Sequence, residues 1–205
     1  VQDTAASLPA RLFGKDLAGQ KIADICAAPG GKTAQLLAAG AEVIALDRSD
    51  KRLQTLKENL NRLSLTAETI CVDAVSWRPE ELLDGVLLDA PCSATGTIRR
   101  HPDVAYLKRP EDVSHAGQAQ FQLLNAATEM VKPGGQIVFA TCSLQPQEGP
   151  DVIHSFLANH EKWWRQPIEA SEVGNCVEFI TEAGDLRTLP CHFANLGYMD
   201  GFFAA

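Results

Sequence analysis

Two cysteines sit in short polar triplets, Pro91-Cys92-Ser93 and Thr141-Cys142-Ser143, and each follows an apolar run of the kind that forms a buried strand. A thiolate is a strong nucleophile, and even an unperturbed thiol is ionised to a few per cent near neutral pH. Two such residues at equivalent strand ends suit covalent catalysis by thiols. The plainer reading, a cysteine serving as a small buried hydrophobe, fits Cys26, Cys71, Cys176 and Cys191 but does not account for the polar settings of Cys92 and Cys142. A disulfide between those two is the other alternative, which a reducing compartment disfavours. No two of the six cysteines have the C-x-x-C spacing of zinc ribbons and redox motifs, so no metal site is expected.

A second concentration of chemistry lies in Asp24-Ile25-Cys26-Ala27-Ala28-Pro29-Gly30-Gly31-Lys32-Thr33. Glycines that open a helix let a ligand lie against backbone N–H groups at the positive helix end. A nucleotide P-loop needs glycine where this chain has Cys26, and the dinucleotide fingerprint G-x-G-x-x-G is absent. What survives is a ligand loop followed by an acid, Asp47, at the next strand end, placed to accept from ribose hydroxyls. That pattern suits a nucleoside cofactor without a pyrophosphate. An ordinary tight turn at Gly30-Gly31 and a helix cap at Asp47 are the bland alternatives. Asp73 follows a third strand, where it can either bond an adenine amino group or cap a turn. Asp89 stands directly between a buried strand and Ala90-Pro91-Cys92, a position where desolvation and ligand contact shift protonation.

The elements that must position these residues alternate between strand and helix, which predicts a parallel sheet covered on both faces. Strands are expected near Ile22–Cys26, Val43–Leu46, Thr69–Val72, Val86–Leu88 and Ile137–Ala140. Leu53, Leu56, Leu60 and Leu63 recur at helical spacing, giving a helix over Asp50–Leu63 with Ser49 or Asp50 at its cap. Further helices are expected over Val113–Val131, ending at the breaker Lys132-Pro133-Gly134-Gly135, and over Asp151–Asn159. Ala5, Leu8, Leu12 and Phe13 read as one face of an opening helix. Val177–Ile180, Thr188–Phe193 and Gly201–Phe203 read as an antiparallel addition to the sheet, and Ser93–Ser114 as a polar surface connection.

The chain has 205 residues, 45% of them hydrophobic, enough for one sizeable core. No apolar run approaches the length of a membrane span and none opens the chain as a signal peptide, so a cytoplasmic protein is expected. Its net charge of −8 is unusual for a polyanion binder. Arg99, Arg100, His101, Lys108 and Arg109 form the one dense basic stretch, which reads either as phosphate contact or as a solvated charge cluster. Methionine occurs only at 130 and 199, and a chain that begins at Val1 reads as a fragment of a longer one.

In the order and spacing of its motifs the chain resembles the Sun/Fmu-type RNA cytosine-5 methyltransferases, the bacterial 16S rRNA type or a close relative, over essentially its whole length. The matching residues are Gln2-Asp3, Ala27 to Thr33, Asp47, Asp73, Asp89-Ala90-Pro91-Cys92-Ser93, Arg99-Arg100-His101-Pro102-Asp103, Thr141-Cys142-Ser143 and Asp200-Gly201-Phe202-Phe203. The resemblance implies an α/β fold of the Rossmann-like class I S-adenosylmethionine-dependent type, a mostly parallel seven-stranded sheet with an antiparallel C-terminal strand. Residues 1–205 would form one catalytic domain, with an N-terminal RNA-binding region ahead of it. Carbon 5 of cytosine is too weak a nucleophile to take a methyl group until a thiolate adds at carbon 6. The resemblance gives that attack to Cys142 and assistance in release to Cys92. It also implies that Asp89 contacts the cytosine, that Lys32 faces the active site, and that Ala27, Ala28, Pro29, Gly30, Gly31, Lys32, Asp47, Arg52, Asp73 and Asp89 hold S-adenosylmethionine. Arg99, Arg100 and His101 would meet RNA, ribosomal RNA first and transfer RNA next, in a monomeric enzyme whose target base is unpaired or flipped out. After Leu144 the family continues Pro-x-Glu-Asn-Glu, and here Pro146-Gln147-Glu148-Gly149-Pro150 departs after Glu148. Three rivals stand beside this reading. An inactive relative that binds RNA or cofactor is opposed by the presence of both cysteines. A nicotinamide oxidoreductase lacks its glycine fingerprint. In DNA cytosine methyltransferases the nucleophile occupies the Pro-Cys motif.

Overall fold

A computed structural model describes residues 2–205. In chain order its elements are α1 (Thr4–Ser7), β1 (Lys21–Ile25), α2 (Gly31–Ala38), β2 (Glu42–Asp47), α3 (Asp50–Arg62), β3 (Glu68–Cys71), β4 (Leu83–Asp89), α4 (Val104–Leu107), α5 (Pro110–Thr128), β5 (Val131–Thr141), α6 (Pro150–Asn159), β6 (Leu186–Thr188) and β7 (Phe202–Ala204), with short 3-10 turns between them. The seven strands follow the order β3-β2-β1-β4-β5-β7-β6. The pairs β1–β2, β1–β4 and β2–β3 are parallel, whereas β7 runs antiparallel to both β5 and β6. This is the mostly parallel sheet with an antiparallel C-terminal strand that the motifs implied. Among the described residues no helix is long and apolar enough to cross a membrane.

Two compact units share the chain. The first comprises Pro9–Ala90 and Leu123–Phe139. Its register aligns Ile25 with Leu46 on one side and with Leu88 on the other, so Cys26, Asp47 and Asp89 emerge together at the carboxyl ends of three neighbouring strands. α3 is fixed by its N-cap, where Ser49 Oγ accepts from Arg52 N at 3.4 Å, and by the burial of Leu53, Leu56 and Leu60 against Ala27, Ala28 and Ala45. Each such leucine contributes roughly 1.5–3 kcal/mol. The candidate ligand loop therefore rests on a packed helix face.

The second unit comprises the described residues up to Leu8, Pro91–Gln122 and Ala140–Ala205. Ala140 and Thr141 pair with Ala204 and Phe203, which fixes the chain immediately before Cys142. Phe179, Met199 and Phe203 form part of its interior, with Val152, Ile153 and Phe156 of α6.

Four expectations need correction. The opening helix is only α1, after which Pro9–Phe13 tightens into a 3-10 turn; proline at 9 supplies no N–H to continue the α pattern. Strand β5 begins at Val131, so the segment Lys132–Gly135 lies inside it and α5 ends earlier, at Thr128. Val177–Phe179 is a 3-10 turn, because Gly174 and Asn175 just ahead of it take positive φ values of 71° and 63° and redirect the chain. Of Thr188–Phe193 only Thr188 is strand, and Pro190 cannot extend a ladder.

Candidate active site

Beyond β1 the backbone turns through Cys26, at a φ of 61°, and Gly30, at 97°, before α2 starts at Gly31. A Cβ on Gly30 would lie 2.9 Å from Leu56 Cγ, so both conformation and packing require glycine there. Side chains hold the loop in place. Asp47 accepts from Ser49 N at 3.0 Å and from Ala28 N at 3.4 Å, and pairs with Arg52 at 3.1 Å. Arg52 also donates to Ala28 O at 2.5 Å, and Asn59 to Pro29 O at 3.0 Å. Three of the four lone-pair positions of the Asp47 carboxylate are thus used within the protein. Arg52 bonds the loop's backbone, and Asn59, which sequence reasoning missed, does the same from α3.

Lys32 reaches across to Asp89, Nζ to Oδ2 at 2.8 Å, uniting two of the expected catalytic residues in one ion pair. Thr33 donates to the fully buried Asp24 at 2.6 Å. Burial pushes the Asp24 carboxyl up to about 7, against the Thr33 bond, which pulls it down. Burial, reinforced by the carboxylates of Asp47 and Asp89, likewise pushes the Cys26 thiol up to about 12. Asp73 accepts from Val75 N at 3.0 Å in a turn of its own, one of the two roles open to it from sequence. Cys71 and Cys191 are exposed, so the buried-hydrophobe reading fails for them.

In the other unit the two singled-out thiols meet: Cys92 Sγ lies 3.3 Å from Cys142 Sγ. The hydrogen bond from Cys142 holds the Cys92 thiol below its ordinary range, helped by the Thr141 hydroxyl and Ala94 N–H and opposed by burial. Around the sulfurs runs a polar network that sequence reasoning did not foresee. Glu148, wholly buried, accepts from Ser93 N at 2.6 Å, from Ser93 Oγ, and from Ser143 Oγ at 2.5 Å. Thr95 Oγ1 lies 3.2 Å from Ser143 Oγ and accepts from Leu144 N at 2.9 Å. Arg187 donates to Ser143 O at 2.8 Å, and Gly96 N to Cys142 O at 2.9 Å. The only hint of Glu148 in the sequence was that the family's pattern holds up to that residue.

The basic stretch is less open than its sequence suggested. Arg100 forms a two-pronged pair with Asp200, which is 1% exposed, and Arg99 bonds both Asp3 and Asp200. His101 stands beside Arg100, its Nε2 at 3.5 Å from Nη1. Lys108 and Arg109 are exposed.

A family model for the 16S rRNA methyltransferase RsmB/F matches residues 15–205. The chain is 48% identical over 162 residues to the ribosomal RNA small subunit methyltransferase B of Vibrio cholerae, covering 77% of this chain and 37% of that protein. It is 49% identical over 164 residues to the Vibrio vulnificus protein of the same name, covering 77% and 38%. The chain therefore spans well under half the length of these curated relatives. Among solved structures it superposes on PH0851 with a TM-score of 0.84 at 30% identity, covering 100% of this chain and 46% of that one. On NSun6 from Pyrococcus horikoshii with SFG the TM-score is 0.79 at 25% identity, covering 100% and 51%.

Proposed function

The chain belongs to the 16S rRNA methyltransferase RsmB/F family, and from that membership we propose that it transfers a methyl group from S-adenosylmethionine to carbon 5 of a cytosine in RNA, ribosomal RNA first, through a covalent adduct of Cys142. The observation that carries this reading is the 3.3 Å approach of the Cys92 and Cys142 sulfurs. One thiol alone is common. Two in contact, one of them held below its ordinary ionisation range, suit a reaction in which a sulfur must both add and leave.

The loop fits the cofactor by the chemistry of its donors. The amino end of α2 favours a carboxylate tail, and Asp47 retains one acceptor position, on Oδ1, for a ribose hydroxyl. Ala27, Ala28, Pro29, Gly30 and Gly31 would supply the backbone cradle, with Lys32, Arg52, Asp73 and Asp89 around it. S-adenosylmethionine, when bound, supplies an electrophilic methyl group.

The protein's own groups do the rest. Transfer of the shared proton from Cys142 to Cys92 frees the Cys142 sulfur to bond carbon 6 of the cytosine. Electrons displaced toward carbon 5 make that carbon the nucleophile, with Asp89 contacting the cytosine and the Lys32 ammonium paired to it offsetting the negative charge that builds on the ring. After methylation the carbon 5 proton passes to solvent, its bonding pair re-forms the carbon 5–carbon 6 double bond as the carbon–sulfur bond breaks, and Cys142 leaves with that bond's electrons, assisted by Cys92, which returns the proton it had taken. Lys32 keeps the Asp89 carboxyl oriented. Arg99 and Arg100, oriented by Asp3 and Asp200, contact the RNA backbone with His101.

A denaturing gel tests the reading. With S-adenosylmethionine and ribosomal RNA, Cys92→Ala is expected to accumulate a covalent protein–RNA adduct that Cys92→Ala/Cys142→Ala does not form. Absence of adduct in the single variant, with RNA and cofactor still bound, would overturn it; parallel lanes with transfer RNA test the substrate class.

A further inference from the structure

Beyond the two sulfurs, the structure assigns Glu148 as the positioning residue that keeps Cys92 and Cys142 side by side, by bonding the residue that follows each of them. The reading builds on the thiol pair proposed above but does not depend on the base methylated.

Ser93 and Ser143 have one hydroxyl proton apiece, and each is directed at Glu148 Oε2, while Ser93 N–H is directed at Oε1. Ser143 Oγ, having given its proton, accepts from Gln145 N at 3.0 Å. Thr95 Oγ1, which accepts from Leu144 N, has its own proton for the 3.2 Å contact with Ser143 Oγ. This polarity leaves the 3.2 Å approach of Ser93 Oγ to Ser143 Oγ without a proton between the two oxygens, satisfies the other contacts, and ends on Glu148 as acceptor of three.

The geometry then links the carboxylate to the thiols. Cys92 and Cys142 lie 50 positions apart in the chain, on separate loops. Ser93 and Ser143 are their immediate successors, and Glu148 bridges the two. Among the described residues no basic side chain lies within salt-bridge reach of Glu148, so it is fixed by these uncharged donors and not by a counter-ion. A buried carboxylate is retained at a cost unless its bonds are complete, and completeness here requires both loops to be in place. The negative charge also opposes ionisation of Cys92, so the residue is poorly suited to activating that thiol electrostatically. Its contribution is alignment.

The test uses phenylarsine oxide, a trivalent arsenical that bridges two thiols only when their sulfurs are close, with the bridged Cys92–Cys142 peptides identified by mass spectrometry. The native chain is expected to form that bridge. Glu148→Ala should form it at least tenfold more slowly, and Glu148→Gln, which keeps the shape and one acceptor oxygen, should recover part of the rate. Methyl transfer to RNA should fall in kcat by roughly 100-fold with KM for RNA little changed, as expected for a misplacement near 1 Å. Should Glu148→Ala fail to fold, Ser93→Ala/Ser143→Ala removes both hydroxyl bonds and is expected to slow bridging likewise. Bridging at the native rate in a folded variant of either kind would overturn the assignment. Normal bridging in the native chain without methylated cytosine would instead overturn the proposed reaction and leave Glu148 where it stands.

Discussion

Cys26 and Cys92 occupy matching places, each just beyond a parallel strand of the same sheet, yet the protein treats them in opposite ways. Cys26 emerges among carboxylates, and burial with Asp47 and Asp89 nearby pushes its thiol up to about 12. Cys92 emerges beside a donor thiol, a hydroxyl and a backbone N–H, and is held below its ordinary range despite its burial. Proximity to a ligand loop therefore does not make a cysteine reactive. Burial raises both thiols and is the largest influence on Cys26; what separates the two is that donors around Cys92 stabilise its charged form while carboxylates around Cys26 oppose it.

The sharpest way to break this contrast is to alkylate the native chain at pH 7 and follow each cysteine by peptide mass. Cys92 should label at least roughly 1000-fold faster than Cys26, the factor by which their thiolate fractions differ even if Cys92 had only an ordinary value. Similar rates would show that burial and the carboxylates around Cys26 do not suppress it.

Asp24 sharpens the comparison on the side of Cys26. Its folded-state value, about 7, is above that of an unfolded carboxyl, so the folded protein binds the proton more tightly. The stability this contributes is complete below about pH 4 and is lost as pH rises through about 7, a loss on the order of 4 kcal/mol. Asp24→Asn has no proton to lose, and its oxygen still accepts from Thr33. Denaturant unfolding from pH 4 to 8 should slope downward for the native chain and run flat for the variant.

The smallest effect concerns the loop frame beside Cys92. Gly96→Ala would bring a Cβ to 2.1 Å from Gly201 O and 2.7 Å from Cys142 O. Its thermal midpoint should fall by an amount equivalent to roughly 1–3 kcal/mol, whereas Gly14→Ala meets nothing within 4 Å and suffers only from its φ of +105°.

The two regions also differ in how much of them was legible in sequence. The ligand loop is written in consecutive residues, and Asp47 and Asp89 announce themselves by following apolar runs. The thiol pair was legible as two similar triplets, but its support was not. Ser93 and Glu148 are 55 positions apart, and a lone glutamate acquires meaning only when folding brings two loops to it. Asp200 is a similar case, since it lies 100 positions from Arg100 and holds in place a guanidinium that the sequence alone leaves unanchored. Local propensity failed where a single residue redirected the chain, as at Pro9 and at Gly174-Asn175. Periodicity does not register such punctuation.

One backbone relay constrains how this protein can change. Gly96 N donates to Cys142 O, and Gly201 N donates to Gly96 O at 2.8 Å, while a Cβ on Gly201 would collide with Leu144 at 2.5 Å. Three stretches distant in the chain are in this way committed to a single ancestry. A lineage that loses either glycine must re-route the main chain around Cys142 in the same step, and drift at positions 96, 144 and 201 is therefore expected to be concerted or absent.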